Sequence, residues 1–242
     1  MKPIEGKDVQ DDSLSIYVHI PLCRKQCAYC NFISYEGMEV FFEDYGEAVC
    51  KETTCWGKAL KDQKVETIYF GGGTPSLLSG KTLAKILTHI CKCFTVVSDA
   101  EITIEVNPGT VDLYKLKELR KSGFNRISIG VQNIDDFCIK EILGRIHDVH
   151  QAEKTIVSAF DAGFSNINLD LLLGTPRQDL PQWLKTLKWL EKNNFTHASV
   201  YLLHLEEETP LYHRIRQGLW EMPAEDEVVA MYENTVAFFE ER

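Results

Sequence analysis

Six short runs of β-branched, aromatic and aliphatic residues recur along the chain, at 16–20, 66–70, 101–106, 126–131, 166–173 and 197–203. Helical patterns separate them, at 40–60, 81–93, 111–121, 135–143 with 149–162, and 180–192. A last amphipathic helix is expected over 224–242, with Val228, Val229, Tyr232, Val236 and Phe239 on one side. Strands that alternate with helices pair in parallel, because each helix carries the chain back to the same end of the sheet. With right-handed crossovers, six such units predict an α/β fold, a partial (β/α)6 barrel of TIM-like type. In barrels of this kind the chemistry sits at the C-terminal ends of the strands.

Composition narrows the classes. A length of 242 residues suits one large domain, and 44% hydrophobic with 26% charged residues is ordinary for a globular chain. The net charge of −10 argues against nucleic acid as the main partner. The opening MKPIEGKDVQDDS has no apolar h-region, and no run approaches the length of a membrane span. A cytoplasmic protein with no integral membrane segment is expected. Residues 1–14 are polar and read as a flexible N-terminus, leaving 15–242 as the core domain.

Three of the eight cysteines, Cys23, Cys27 and Cys30, fall just past the first strand, which Pro21 ends for want of an N–H. Their spacing, Cys-x3-Cys-x2-Cys, lets one loop curl its thiolates around a compact centre. An iron–sulfur cubane normally takes four thiolates. Three would leave one iron open, as catalytic zinc sites leave one position open. Arg24 and Lys25 help hold the thiols as thiolates. A zinc site with His19 as fourth ligand, or three ordinary thiols, are the other readings of the same spacing. Cys50, Cys55, Cys91, Cys93 and Cys138 show no ligand spacing and read as core or surface thiols. After the second strand comes Gly71-Gly72-Gly73-Thr74-Pro75, which allows a tight turn and close backbone approach. It lacks the Gly-Lys-Ser/Thr ending of a P-loop.

The stretch SIYVHIPLCRKQCAYCNFIS and the GGGTP turn resemble the radical S-adenosylmethionine (SAM) superfamily. YVHIPLC with CAYCNF narrows the likeness to the relatives of oxygen-independent coproporphyrinogen III oxidase. The oxidases proper carry a further cysteine two residues after the third. Phe32 stands there in this chain, as in the HemW-type haem chaperones. The resemblance implies a [4Fe-4S] cluster on Cys23, Cys27 and Cys30, with SAM chelated at the open iron and its amino end on Gly72, Gly73 and Thr74. ITIEVNPGT, SIGVQ, LGRIHD and LDLLLGTP resemble further family segments. They imply that Glu105, Gln132, Arg145 and Asp170 contact the ribose, carboxylate or amino parts of SAM, with Tyr17 and Phe32 bordering the same ligand. No residue is assigned a catalytic role.

Two functions follow from the resemblance. One is a haem chaperone that binds and transfers haem while keeping the cluster and SAM. The alternative is oxidative decarboxylation of coproporphyrinogen III by a 5′-deoxyadenosyl radical. The implied partners are haem or a porphyrinogen, an electron donor such as flavodoxin or ferredoxin, and a haem-acceptor protein. His19 adjoins the cysteine loop, and His147 and His150 flank Arg145; His89, His197, His204 and His213 read as surface or core residues. No spacing singles out a haem ligand. Where the family usually has Glu-x-Gly-Thr, this chain has Glu207-Glu208-Thr209. Haem-chaperone relatives continue into a C-terminal region, so 205–242 is expected to lead toward a part that is absent.

Overall fold

The computed structural model describes residues 13–60 and 62–241. The expected flexible N-terminus falls mostly on 1–12, outside the described residues. Ser13 and Leu14 are not loose, because the first strand already includes them.

The strands are β1 (Ser13–Ile20), β2 (Lys64–Gly72), β3 (Thr95–Val106), β4 (Arg126–Gln132), β5 (Asn166–Leu173) and β6 (His197–Leu202). They form one six-stranded sheet in sequential order, with every neighbouring pair parallel. β1 and β6 are its edges, so the barrel is partial, as the alternation predicts. The helices are α1 (Phe42–Ala59), α2 (Gly80–Cys93), α3 (Leu113–Lys121), α4 (Val149–Asp161), α5 (Leu180–Leu190), α6 (Pro210–Arg216) and α7 (Glu225–Glu240). Local chemistry sets several of their starts. Asp148 and Asp179 head full capping boxes with Gln151 and Gln182, and Ser79 accepts from Thr82 N–H.

Four local features depart from the sequence reading. On α7, Val229, Tyr232 and Val236 of the expected apolar side are exposed, and Met231 and Thr235 are buried instead. β3 starts at Thr95, six residues before the expected 101, and a register shift in its pairing with β2 absorbs the extra length. The segment expected as a helix over 135–143 contains a π-helical turn, Cys138–Ile142, where Leu143 N–H reaches back to Cys138 O at 2.8 Å. α6 was unexpected, although its signals are present: Pro210 opens it and the Thr209 hydroxyl caps Tyr212 N–H.

The sheet's two faces differ sharply. Ile68, Phe70, Ile104, Ile127, Ile129 and Leu169 are fully buried on the outer face, against Leu83, Ile86, Leu116 and Trp183 of the helices. Burying each such side chain stabilises the fold by about 1.5–3 kcal/mol. The opposite face is polar. Asn168 Nδ2 donates to Ser128 Oγ at 2.6 Å and to Asp170 Oδ1 at 2.8 Å, and Ser128 Oγ donates to Asp170 Oδ2 at 2.8 Å. Closed barrels fill this space with branched apolar layers. Here the sheet stays open, and the hydrogen-bonded floor accounts for a carboxylate inside an otherwise apolar strand.

Candidate cofactor site

The cysteine loop leaves β1 at the C-terminal end of the sheet and is pinned at its base. Tyr35 N–H donates to Pro21 O at 2.9 Å, and Cys23 N–H donates to Tyr35 O at 3.0 Å. Its middle is tied down as well: Ala28 N–H reaches Leu143 O and Leu211 N–H reaches Ala28 O, both at 2.8 Å. Gly144 adopts a left-handed φ of +69°, and a Cβ there would lie 3.3 Å from Ala28 N. The segment around Leu143 and α6 thus hold the loop's centre.

Cys23, Cys27 and Cys30 face one cavity of about 360 Å³, and all three are free thiols. Burial pushes the Cys30 thiol up, with the other two cysteines adding to the effect. Among the described residues no three His, Cys, Asp or Glu side chains converge on a single metal ion. His19 turns its ring nitrogens to Tyr17 Oη at 3.0 Å and Ile33 O at 3.3 Å. His19, the fourth ligand of the zinc reading, is thus engaged with protein groups and does not line the cavity. Three separate thiols around one cavity suit a larger body held from outside, as a [4Fe-4S] cluster is, and the donor set leaves one iron without a protein ligand.

The glycine turn forms the next wall. Gly73 N–H donates to Ile20 O at 2.9 Å and Thr74 N–H to Leu22 O at 2.8 Å. Gly72 N–H donates to Glu105 Oε2 at 3.2 Å. A Cβ on Gly72 would meet His19 Nδ1 at 2.6 Å, and one on Gly73 would meet Leu22 O at 2.7 Å. The glycines are needed first so that the turn can pack on β1 and the cysteine loop. With these N–H groups engaged, the turn has none free to cradle an anionic ligand.

Glu105 and Asp170 stand on the cavity floor. Burial raises both carboxyls, and their mutual repulsion adds to the rise at Glu105. Tyr69 Oη donates to Glu105 Oε1 at 2.7 Å, which works against that rise. Gln132 lines the cavity from the end of β4 with φ +69°, an uncommon conformation for a non-glycine residue, next to a register shift against β5.

Arg145 is nearly fully buried. Its five N–H groups all have partners: Nε–H reaches His147 Nδ1 at 3.4 Å, Nη1 reaches Tyr29 Oη at 3.0 Å and Cys27 Sγ at 3.7 Å, and Nη2 reaches Gly130 O at 2.8 Å and Asn107 Oδ1. It lines the cavity, but its fork is already engaged within the protein. The sequence points to Arg24 and Lys25 as the cationic partners of the thiols. The guanidinium that touches one is Arg145, far away in the chain.

Phe32, Gly72, Gly73, Thr74, Glu105, Gln132, Arg145 and Asp170 all line the cavity with the three cysteines. Tyr17 does not. It is exposed, its hydroxyl pairs with His19, and its ring stacks on Tyr69 at 6.1 Å. Tyr69, on which it stacks, is the tyrosine that holds Glu105. His147 lies beneath Arg145 and is fully buried, so it does not face the cavity. Tyr29, Asn107 and Ser128 are wall residues that the sequence reading did not single out. Asn107 joins two walls, donating from Nδ2 to Thr74 Oγ1 at 2.8 Å while its Oδ1 receives Arg145.

Comparison with known proteins supplies the context. A family model described as the Radical SAM superfamily matches residues 17–190. The Bos taurus protein named Radical S-adenosyl methionine domain-containing protein 1, mitochondrial, is 34% identical over 227 residues, covering 94% of this chain and 51% of that protein. The Escherichia coli Heme chaperone HemW is 39% identical over 198 residues, covering 81% of this chain and 52% of that protein. Among solved structures, the Escherichia coli coproporphyrinogen III oxidase HemN superposes with a TM-score of 0.83 at 27% identity, covering 94% of this chain and 52% of that one. The chain spans about half the length of the curated relatives it matches.

Proposed function

Because the chain belongs to the radical SAM superfamily, we propose that it is a haem chaperone-like member that holds a [4Fe-4S] cluster and SAM and binds and transfers haem. The single observation that carries the cofactor part is the cavity itself, with three unpaired thiols on one wall and two carboxylates on its floor. In this reading Cys23, Cys27 and Cys30 hold the cluster. Gly72, Gly73 and Thr74 take the amino end of SAM, while Glu105, Gln132 and Asp170 take its ribose and polar edges. Arg145 and Tyr29 hold the Cys27 side of the loop to β4, and a SAM carboxylate reaches the guanidinium by displacing one of its present partners. When bound, the cluster and SAM supply an organic radical by reductive cleavage of a carbon–sulfur bond. The polypeptide contributes placement and exclusion of water.

Phe32, 65% exposed at the rim, favours haem handling over catalysis. It occupies the place where the resemblance puts a further cysteine in the oxidases, and identity is higher to the haem chaperones than to the oxidase. The close superposition on HemN keeps coproporphyrinogen III oxidation as the second reading. Anaerobic incubation with SAM, a reductant and coproporphyrinogen III, followed by HPLC, separates the two. Haem handling predicts a saturable Soret shift and no protoporphyrinogen; appearance of protoporphyrinogen refutes a chaperone-only role. A flavodoxin or ferredoxin as electron donor and a haem-acceptor protein belong to the same proposal. So does a cytoplasmic setting, which fractionation tests against the mitochondrial one in the names of the animal relatives. Among the described residues no helix is long and apolar enough to cross a membrane.

A further inference from the structure

A second cavity of about 390 Å³ opens between the segment after β4, the segment after β5 and α5, and it shares no lining residue with the cysteine cavity. Its acceptors are largely engaged within the protein. Gln178 is 6% exposed, and its Oε1 accepts from Gly174 N–H at 2.8 Å and Thr175 N–H at 3.3 Å. Gln182 Oε1 accepts from Asp179 N–H at 3.1 Å. Thr175 Oγ1 accepts from Asn133 Nδ2 at 3.2 Å and from the buried Cys138 thiol at 3.5 Å. The one acid on the wall, Asp135, has Oδ1 bound to Cys138 N–H at 2.7 Å.

The donors are not engaged in the same way. The amide nitrogens of Gln178 and Gln182 have no protein partner among the described residues, and neither Arg177 nor Lys185 forms an ion pair there. In a chain of net charge −10, a cavity on which Arg177 and Lys185 outnumber the one acid, Asp135, is a distinctive feature. Arg177 is also held deliberately. Its backbone sits at φ +63°, its N–H donates to Glu221 O at 2.9 Å, and its guanidinium lies 5.2 Å from the centre of the Phe137 ring. Trp220 braces that ring from another side, edge to face at 5.6 Å.

An aromatic wall beside two cations and two unengaged amide donors fits an organic anion with a flat apolar body. We infer that this cavity receives the propionate edge of a tetrapyrrole, with the carboxylates on Arg177 and Lys185 and a pyrrole ring against Phe137. The inference rests on the haem-handling reading above and adds a location to it, outside the cysteine cavity. A half-open site at the same end of the sheet lets the remainder of the macrocycle project toward solvent, where it can be passed on.

The test is an anaerobic Soret titration of cluster-loaded wild type and the R177E/K185E variant with haem and with haem dimethyl ester, which lacks the two charges. Reversing two partly exposed charges removes two attractions and adds two repulsions, so haem is expected to bind the variant at least about tenfold more weakly. Wild type should prefer haem to the ester, and the variant should not. Both positions are exposed, and unchanged iron content and circular dichroism show that the fold is intact. Equal haem affinity in the two proteins overturns this site and leaves haem handling standing. Absence of haem binding to wild type overturns both.

Discussion

Acid should unlock the cysteine wall through His147, which is fully buried and bonded on both ring nitrogens. Arg145 can only donate, so Nδ1 must accept from its Nε–H at 3.4 Å, and the proton sits on Nε2, which donates to Val131 O at 3.2 Å. Protonating Nδ1 would set two donors against each other. Burial, and then the Arg145 charge, lower the ring from its ordinary 6.5 to about 4, while the Val131 carbonyl pulls the other way. Between these values the unfolded chain carries the proton and the native one does not, so stability rises with pH across that window. The contribution is fully present above the unfolded value of 6.5 and is lost as pH falls through the folded value of about 4. At 1.36 kcal/mol per pH unit the whole effect is roughly 3 kcal/mol, of which about 2 kcal/mol is lost by pH ~5. Urea denaturation of the anaerobic apo-protein at about pH 7.5 and about pH 5 measures it. His147→Gln keeps an acceptor for Arg145 and a donor for Val131 but cannot titrate, so its stability should lack this loss. The raised carboxyls of Glu105 and Asp170 act with the opposite sign, gaining as pH falls. They are common to both proteins and cancel in the comparison. Identical pH dependence in wild type and variant would refute the reasoning.

Three shorter predictions follow from other parts of the molecule. Thr235→Val leaves the buried Trp183 indole N–H, now bonded to Thr235 Oγ1 at 2.7 Å, without an acceptor; about 1–3 kcal/mol should be lost in urea titrations. Gly72→Ala forces a Cβ to 2.6 Å from His19 Nδ1 at φ +115°. It should cost about 1–3 kcal/mol and lower the iron retained after reconstitution, more than Gly37→Ala, which has φ +69° but nothing within 4 Å. Cys27→Ser should abolish the cluster EPR signal after anaerobic reconstitution, while Cys55→Ser, at an exposed thiol, should leave it unchanged.

Periodicity made most of the architecture legible. All six strands follow from their β-branched and apolar runs and their parallel order from the helices between them, and residues such as Ile102, Ile104 and Val106 face those helices. The early start of β3 was hidden because Ser98 and Asp99 read as loop residues, and only pairing with β2 draws that stretch into the sheet. α6 was hidden because its one buried apolar residue, Leu211, gives no period to detect. At the site, the three cysteines and the glycine turn are local in sequence and could be read from spacing. Tyr29, Asn107 and the Arg145–Cys27 contact could not, since each depends on how the ends of β3 and β4 meet the cysteine loop in space. Tyr17 lies three positions before the end of β1 and does not line the cavity, a placement that only the folded strand shows.

The hydrogen-bond polarity of the glycine turn bears on which adenine compounds can compete for the cavity. ATP shares its adenosine with SAM and is far more abundant in cells. Glycine turns that accept polyphosphates do so with free N–H groups. Here those of Gly72, Gly73 and Thr74 already point into the protein. A triphosphate would find no free N–H in this turn and would meet two carboxylates, Glu105 and Asp170, whereas a sulfonium amino acid brings cations to the same surfaces. The backbone thus carries a filter against the commonest nucleotide, built by rejection as much as by attraction.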